Sequence, residues 1–282
     1  MKIAITGADG MLAKDLIELL SNAHSCRGFS KNELDITSED SINTALDNLT
    51  PDIIINCAAY TKVDLAEKDK NMALEVNSLG VQNLAIACRQ RKIPLCHIST
   101  DYVFDGTKTS PYKPSDNVNP INHYGYSKLA GEKYIQWILN DFYIIRTSWL
   151  YGSHGPNFVK TILKLALTNS EIKVVNDQKG APTWTVNLSA CIKNIIEKKK
   201  PGIYHFTDET DKELTWHDFA CAIINQKGLN TKIIPITTAE FPRPAKRPAY
   251  SVLDTNLTKL VTKSNYMRWD YCLNKFLSSE GG

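Results

Sequence analysis

The chain has 282 residues, 43% of them hydrophobic, which is enough to fill the core of one large domain or of a domain with a smaller lobe. Its net charge of +3 comes from 33 basic and 30 acidic residues spread along the chain, so the charge pattern gives no indication of a nucleic-acid partner. The seven cysteines are never spaced C-x-x-C and no apolar run approaches bilayer length, so we expect a cytoplasmic protein without a disulfide framework, a metal site or a membrane partner.

Short apolar runs alternate with helical patterns up to Trp149. Strands are predicted at 2–6, 25–29, 52–56, 94–99 and 142–147. Helices are predicted at 11–20, 38–49, 71–91 and 122–139, and the second is predicted to begin at a capping box formed by Thr37 and Asp40. This alternation predicts an α/β fold with a doubly wound parallel sheet that is covered by helices on both faces.

The alternation is less regular beyond Trp149. Helices are predicted at 158–167 and 185–198, a strand at 202–206, and a second capping box at Thr215 and Asp218. We therefore predict a Rossmann-like dinucleotide-binding domain over 1–150 and a smaller substrate-binding lobe over 151–282. The chain is expected to return to the sheet near 185–206.

The loop "TGADGML" follows the first predicted strand and leads into the first predicted helix, which begins near Met11 and Leu12. Gly7 and Gly10 would let the backbone turn tightly and approach a pyrophosphate, whose charge the helix N-terminus favours. An ordinary tight turn could use the same residues. The position at the first strand-to-helix connection favours the dinucleotide site.

Two more loops follow the carboxyl ends of predicted strands. The small residues of "NCAAYT" leave room for a cofactor, although close helix packing would also explain them. "HISTDYVFDG" places Thr100 and Asp101 at the same edge, where polar side chains could bind a substrate or cap the next segment. Ligands bind at this edge of doubly wound sheets, so the position favours a substrate contact.

The stretch "HYGYSKLAGEK" places Tyr124 four residues before Lys128, which puts both side chains on one face of a helix. A tyrosine pKa of about 10 is too high for efficient proton exchange near neutral pH. A neighbouring cation lowers that pKa. The pair is therefore interpreted as a proton donor with a tuning cation, and a surface pair without function is the alternative.

Several blocks carry a family resemblance: "TGADG", "INCAAYTKVDLAE", "STDYVFDGT", "YGYSKLAGE", "RTSWLYG", "NDQKGAPT" and "RPAYSVLD". With them the chain resembles the extended short-chain dehydrogenase/reductase family and, within it, the dTDP-4-dehydrorhamnose reductases. The resemblance implies NAD(P)H-dependent reduction of the C4 keto group of dTDP-4-dehydro-L-rhamnose to dTDP-L-rhamnose. It implies a dTDP-sugar as the small-molecule partner and leaves a homodimer open.

The resemblance also implies residue roles. Tyr124 would donate a proton to the C4 carbonyl oxygen, Lys128 would tune the phenol and bind the nicotinamide ribose, and Thr100 would hold the carbonyl oxygen. Asp101 and Trp149 would contact the substrate, and the alternative for Trp149 is a place in the core. The implied cofactor contacts are Gly7, Gly10, Met11, Leu12, Ser30, Asp35, Ile36, Ala59, Tyr60, Thr61, Ile98, Tyr124 and Lys128.

Arg247, in "KRPAYS", is either a surface charge or a clamp for a substrate phosphate, a role that suits a guanidinium. The end of the second predicted strand reads Phe29-Ser30-Lys31, where many relatives carry an acidic residue that repels the 2′-phosphate of NADPH. We therefore expect NADPH as the cofactor, with NADH as the alternative.

Two other functions stay open at this point. A sugar-nucleotide dehydratase or epimerase of the wider family is one, although dehydratases place a glutamate after Thr100 and Asp101 and this chain has Tyr102. The other is an NADP-binding regulatory subunit that resembles the one of methionine adenosyltransferase. Retention of Thr100, Tyr124 and Lys128 together favours the reductase.

Overall fold

The computed structural model describes residues 1–280, over which twelve strands form. They are β1 (Lys2–Thr6), β2 (Ser25–Phe29), β3 (Ile53–Asn56), β4 (Leu95–Thr100), β5 (Phe142–Thr147), β6 (Leu150–Tyr151), β7 (Glu171–Val175), β8 (Lys179–Gly180), β9 (Thr183–Trp184), β10 (Gly202–His205), β11 (Leu214–Thr215) and β12 (Lys232–Ile236). Six of them form the central sheet in the order β2-β1-β3-β4-β5-β10, and all neighbours pair in parallel. The predicted parallel sheet is confirmed.

The helices are α1 (Met11–Ser21), α2 (Glu39–Leu49), α3 (Lys70–Leu74), α4 (Gly80–Arg91), α5 (His123–Ile138), α6 (Phe158–Ala166), α7 (Thr185–Lys198), α8 (Trp216–Lys227), α9 (Asn256–Thr262) and α10 (Trp269–Ser279). One face of the sheet packs against α1 and α7, and the other packs against α2, α4 and α5. The fold is therefore doubly wound, as predicted. Among residues 1–280, every helix is too short or too polar to span a bilayer.

The strand order reverses between β1 and β3. From β1 the chain first adds β2 on one side, and it then adds β3, β4 and β5 on the other side. In doubly wound sheets, ligands bind in the crevice at the carboxyl ends of the strands where the order reverses. The loops after β1 and β3 border that crevice here.

Two helical predictions need correction. The predicted capping box at Thr37 and Asp40 is wrong, because the Thr37 hydroxyl donates to Asp35 at 2.8 Å. Ser38 is the N-cap of α2 instead, and its Oγ accepts from Ser41 N at 3.2 Å. The helix predicted at 71–91 is interrupted by a π-helical turn at Glu75–Leu79. The second capping box, at Thr215 and Asp218, is confirmed at the start of α8.

The second half of the chain has its own core. The parallel pair β7 and β12 packs with α6, α8 and α10 around Ile172, Phe219 and Phe276. The chain also returns to the central sheet, where β10 pairs with β5. The domain boundary at residue 150 stays a prediction, and the last two residues of the predicted lobe, 281–282, lie outside the described residues.

Candidate active site

The turn between β1 and α1 approaches the loop after β3 so closely that it requires glycine. Gly7 has φ +67°, and a Cβ on it would lie 2.8 Å from Ala58 Cα. Gly10 is the N-cap of α1 and has no side chain with which to satisfy the first N–H groups of the helix. N–H groups at the positive end of a helix bind phosphate well, so the turn between β1 and α1 fits the pyrophosphate of a dinucleotide.

Met11 and Leu12 differ in their surroundings. Met11 is partly buried, and its sulfur lies 3.8 Å from Asn157 Nδ2. Leu12 is buried in the core between the sheet and α7. A contact from Leu12 to a cofactor would therefore come from its backbone.

The loop after β3 is tied to the helix that carries the Tyr–Lys pair. Tyr60 N donates to Asn77 Oδ1 at 2.8 Å, and Asn77 Nδ2 donates to Tyr60 O at 3.0 Å. The same amide nitrogen donates to Ser127 Oγ, which in turn donates to Tyr124 O. Asn77 belongs to the π-helical turn, so this turn joins the predicted cofactor contacts Ala59, Tyr60 and Thr61 to α5.

An acidic side chain does lie at the end of β2, contrary to the prediction. Glu33 Oε2 accepts from Ser30 N at 2.9 Å and from Ser30 Oγ at 2.8 Å. The turn from Ser30 to Leu34 brings the carboxylate back to the strand end. Asp35 accepts from Thr37, and Ile36 is buried, so the side chains of these two predicted contacts are already engaged within the protein.

The carboxyl end of β4 brings Thr100, Asp101 and Tyr124 together. Thr100 Oγ1 donates to Asp101 Oδ1 at 3.0 Å and accepts from Tyr102 N at 3.2 Å. The Tyr102 ring packs edge-on against the Tyr124 ring with centroids 5.8 Å apart. Burial raises the pKa of Asp101 to about 6, against the opposing hydrogen bond from Thr100.

The pKa of Tyr124 is raised to about 12, and not lowered as the sequence suggested. Burial is the main cause, the charge of Asp101 adds to it, and the nearby Thr100 side chain opposes it. The expected lowering by Lys128 is absent because Nζ of that lysine is directed elsewhere. It lies 2.6 Å from Ile98 O and 3.1 Å from His97 Nε2.

Trp149 follows β5, whose Thr147 is paired with Thr100 of β4, so it lies at the same edge of the sheet. Its indole stacks on Trp216 with centroids 3.8 Å apart, and a Cβ on Gly180 would lie 2.6 Å from Trp149 Cε2. Its φ of +47° is unfavourable for a bulky residue, which marks it as a candidate functional position. Since Trp216 covers one face of the ring, the predicted contact of Trp149 with the substrate is restricted to the part of the indole that is left exposed.

Arg247 is held by a carboxylate from the loop after β3. Its Nη1 donates to Asp64 Oδ1 at 2.6 Å and to Ala245 O at 2.6 Å, while Arg243 binds Asp64 Oδ2. These hydrogen bonds, with that of Arg247 foremost, hold the pKa of Asp64 well below its usual range. Arg247 therefore lies fixed beside Tyr102, and its predicted contact with a phosphate stays a prediction.

Sequence reasoning missed four side chains that shape the site: Glu33, Asn56, Asn77 and His97. The pattern Ser30-x-x-Glu33 has the spacing of a capping box and could have indicated the first. His97 and Asn56 lie within strands, and only their pairing across the sheet reveals them, because Asn56 and His97 are register partners in β3 and β4.

The family model described as the RmlD substrate binding domain matches residues 1–281. A dTDP-4-dehydrorhamnose reductase from Aggregatibacter actinomycetemcomitans is 42% identical over 273 residues, which cover 92% of each chain. The chain belongs to the RmlD family. The resemblance seen in the sequence to the dTDP-4-dehydrorhamnose reductases is confirmed.

Solved structures of RmlD family members agree with this fold. A Bacillus anthracis str. Ames dTDP-4-dehydrorhamnose reductase in complex with NADP has a TM-score of 0.95 at 38% identity, with 99% of each chain covered. A Clostridium acetobutylicum orthologue has a TM-score of 0.96 at 40% identity, with 100% of each chain covered. A UDP-glucose 4-epimerase from Thermus thermophilus, at 18% identity and a TM-score of 0.86, shares the fold alone.

Proposed function

We propose that this RmlD family member is an NAD(P)H-dependent sugar-nucleotide ketoreductase that reduces the C4 keto group of dTDP-4-dehydro-L-rhamnose to dTDP-L-rhamnose. The observation that carries the proposal is that α5 brings Tyr124 close to Thr100 and Asp101 at the carboxyl end of β4, and brings Lys128, one turn later, to Ile98 of the same strand. The name of the 42% identical relative supports this substrate.

The hydroxyls of Thr100 and Tyr124 would bind the substrate carbonyl oxygen. When bound, NADPH supplies the hydride that makes this oxygen an alkoxide. A phenol with a pKa of about 12 is protonated at neutral pH, and it is still a far stronger acid than an alcohol. Tyr124 can therefore hold its proton until the alkoxide develops and then donate it.

The cofactor would lie along the crevice, with its pyrophosphate at Gly7 and Gly10. The NADP found with the Bacillus anthracis relative supports NADPH as the reductant. We propose that Met11, Ser30, Ala59, Tyr60 and Thr61 border it, with Lys128 at the nicotinamide ribose. NADH is the alternative reductant.

The substrate would lie between the sheet edge and residues 151–282. Asp101 and Trp149 come from that edge, and Arg247 comes from the C-terminal half, so the three residues would contact different parts of one dTDP-sugar. The chemistry supports a cytoplasmic enzyme without a nucleic-acid or membrane partner, and a homodimer stays open.

A second substrate has specific support. A Streptomyces niveus relative, 40% identical over 252 residues, is named dTDP-4-keto-6-deoxy-D-glucose reductase. A dehydratase is less well supported, because the residue after Thr100 and Asp101 is Tyr102, which offers no carboxylate.

The test is incubation of the purified protein with NADPH and each 4-keto sugar nucleotide, followed at the nicotinamide absorbance. Consumption of NADPH with formation of dTDP-L-rhamnose is expected. A dehydratase or epimerase would convert a dTDP-sugar without net NADPH consumption. A regulatory subunit would bind NADPH and consume none with either substrate.

A further inference from the structure

A chain of buried polar side chains runs from β1 to Lys128. Thr6 Oγ1 lies 2.6 Å from Asn56 Oδ1, and Asn56 Nδ2 lies 3.0 Å from His97 Nδ1. The opposite ring nitrogen, His97 Nε2, lies 3.1 Å from Lys128 Nζ. Thr6, Asn56 and His97 are fully buried and Lys128 is 2% exposed, so each polar atom needs a partner of the opposite kind within the protein.

The orientation of the Asn56 amide is fixed by a backbone group. Asn56 Oδ1 lies 3.1 Å from Ala58 N, and a backbone N–H can only donate. The oxygen therefore faces Ala58 and Thr6, and the NH₂ group faces His97. An amide turned the other way would set its NH₂ against the Ala58 N–H.

This orientation selects one tautomer of His97. Its ring is neutral, because burial holds the pKa of His97 well below its usual value. Nδ1 accepts from Asn56, so the single ring proton belongs on Nε2, where it points at Lys128 Nζ. An ammonium has three donors and no acceptor, whereas an uncharged amine has a lone pair that accepts this N–H.

The other groups that face Lys128 are compatible with an amine. Its Nζ donates to Ile98 O at 2.6 Å, which either charge state can do. Burial lowers the pKa of Lys128 to about 8, against the opposing charge of Glu132. The Glu132 carboxylate is itself bound by Arg146 at 2.7 Å. A hydrogen bond donated by His97 to Nζ stabilises the uncharged amine, so it lowers the pKa of Lys128, as burial does.

We propose that Asn56 and His97 are positioning residues that hold Lys128 as an uncharged amine, through a hydrogen bond from His97 Nε2–H to Nζ. Such an amine has two N–H groups, of which Ile98 takes one and the other is left to donate within the site. Only the importance of this arrangement for turnover rests on the proposed function. The tautomer itself follows from the contacts.

The direct test is the tautomer of His97 in the folded protein. With ¹⁵N-labelled histidine, the His97 ring signals are assigned by their loss in His97→Gln, and the tautomer is read from the ¹⁵N shifts. We expect the Nε2–H tautomer above the Lys128 pKa of about 8, between about pH 8 and pH 10. A ring protonated at Nδ1, or at both nitrogens, over this range would overturn the proposal.

Asn56→Asp should reverse the tautomer. A carboxylate at this position can still accept hydrogen bonds from Thr6 and Ala58, and it would also accept one from a protonated His97 Nδ1–H. Nε2 then becomes an acceptor for the Lys128 ammonium. The deciding readout is the tautomer, since the added charge also acts on Lys128 through space. A folded variant that keeps the Nε2–H tautomer would contradict the proposal, and if the variant does not fold, the wild-type measurement still decides.

Turnover is measured on the same samples, which separates this inference from the proposed function. An active reductase whose His97 carries its proton on Nδ1 overturns the inference alone. A protein with the Nε2–H tautomer that turns over neither 4-keto sugar nucleotide supports the inference and rejects the proposed function.

Discussion

Glu33 lies at the end of β2, where the adenosine ribose of a dinucleotide binds in folds of this type. Its carboxylate accepts from the N–H and the hydroxyl of Ser30, two donors that would otherwise be free to bind a 2′-phosphate. NADH has a free 2′-hydroxyl that can donate to a carboxylate, whereas NADPH brings a like charge. Glu33 is therefore expected to disfavour NADPH, while the cations Arg27 and Lys31 nearby favour it.

Glu33→Gln should shift the ratio of the NADPH and NADH dissociation constants toward NADPH by about threefold to tenfold. The dissociation constants are measured by fluorescence titration without substrate. Glu39→Gln removes another exposed carboxylate, from the first turn of α2, and serves as the matched control. An unchanged ratio in Glu33→Gln would show that Glu33 has no part in cofactor choice.

Trp149 combines a strained backbone with an aromatic stack, and each has a measurable consequence. Trp149→Ala should lower kcat/KM by about tenfold or more through loss of substrate contact, with NADPH affinity unchanged. Loss of the stack with Trp216 should also lower the free energy of unfolding by about 1–3 kcal/mol. Trp137→Ala, at a side chain 75% exposed on α5, is the control. If only stability falls, Trp149 belongs to the core.

At the scale of elements, α5 positions Tyr124 and Lys128 by lying very close to the segment after β4. A Cβ on Gly125 would overlap the carbonyl oxygen of Tyr102. Gly125→Ala should therefore push α5 away, cost about 1–3 kcal/mol of unfolding free energy and lower kcat. Tyr126→Ala, one residue on and outward-facing, should leave kcat unchanged. Wild-type kcat in Gly125→Ala would show that α5 can shift without harm to the site.

The elements of the sheet were predictable from the sequence, since a strand buried on both faces reads as an apolar run such as Ile53–Asn56. The π-helical turn was not, because its function is tertiary: it lets Asn77 reach both Tyr60 and Ser127. The motifs likewise gave the neighbours Thr100, Tyr124 and Lys128. They predicted neither that the pKa of Tyr124 is raised nor which groups the Lys128 Nζ contacts. Both depend on burial and on contacts between β3, β4 and α5.

At the scale of the whole molecule, buried neutral histidines make stability depend on pH. Burial and the charge of Arg146 lower the pKa of His205 to about 3, against an opposing hydrogen bond with the Tyr112 carbonyl. In the unfolded chain a histidine binds its proton near pH 6.5, so between these values the unfolded state binds more protons. The contribution of His205 is complete above about pH 6.5 and is lost as the pH falls toward 3.

When the pH falls from 8 to 5, the unfolding free energy of the wild type should decrease by about 2 kcal/mol more than that of His205→Gln. Glutamine can keep one donor and one acceptor at this position but does not titrate in this range. Urea unfolding at the two pH values gives the comparison. His154→Gln, at a side chain 39% exposed, is the control. Equal losses in His205→Gln and the wild type would contradict the assignment.

The most direct test of the proposed mechanism is kcat for reduction of dTDP-4-dehydro-L-rhamnose by Tyr124→Phe, measured together with NADPH affinity. This change removes only the hydroxyl that is proposed to deliver the proton. We expect kcat to fall by ~10²–10⁴-fold, the usual contribution of general acid catalysis, while NADPH affinity and unfolding temperature stay at wild-type values. A Tyr124→Phe protein with near-wild-type turnover of the 4-keto sugar nucleotide would contradict the proposed mechanism.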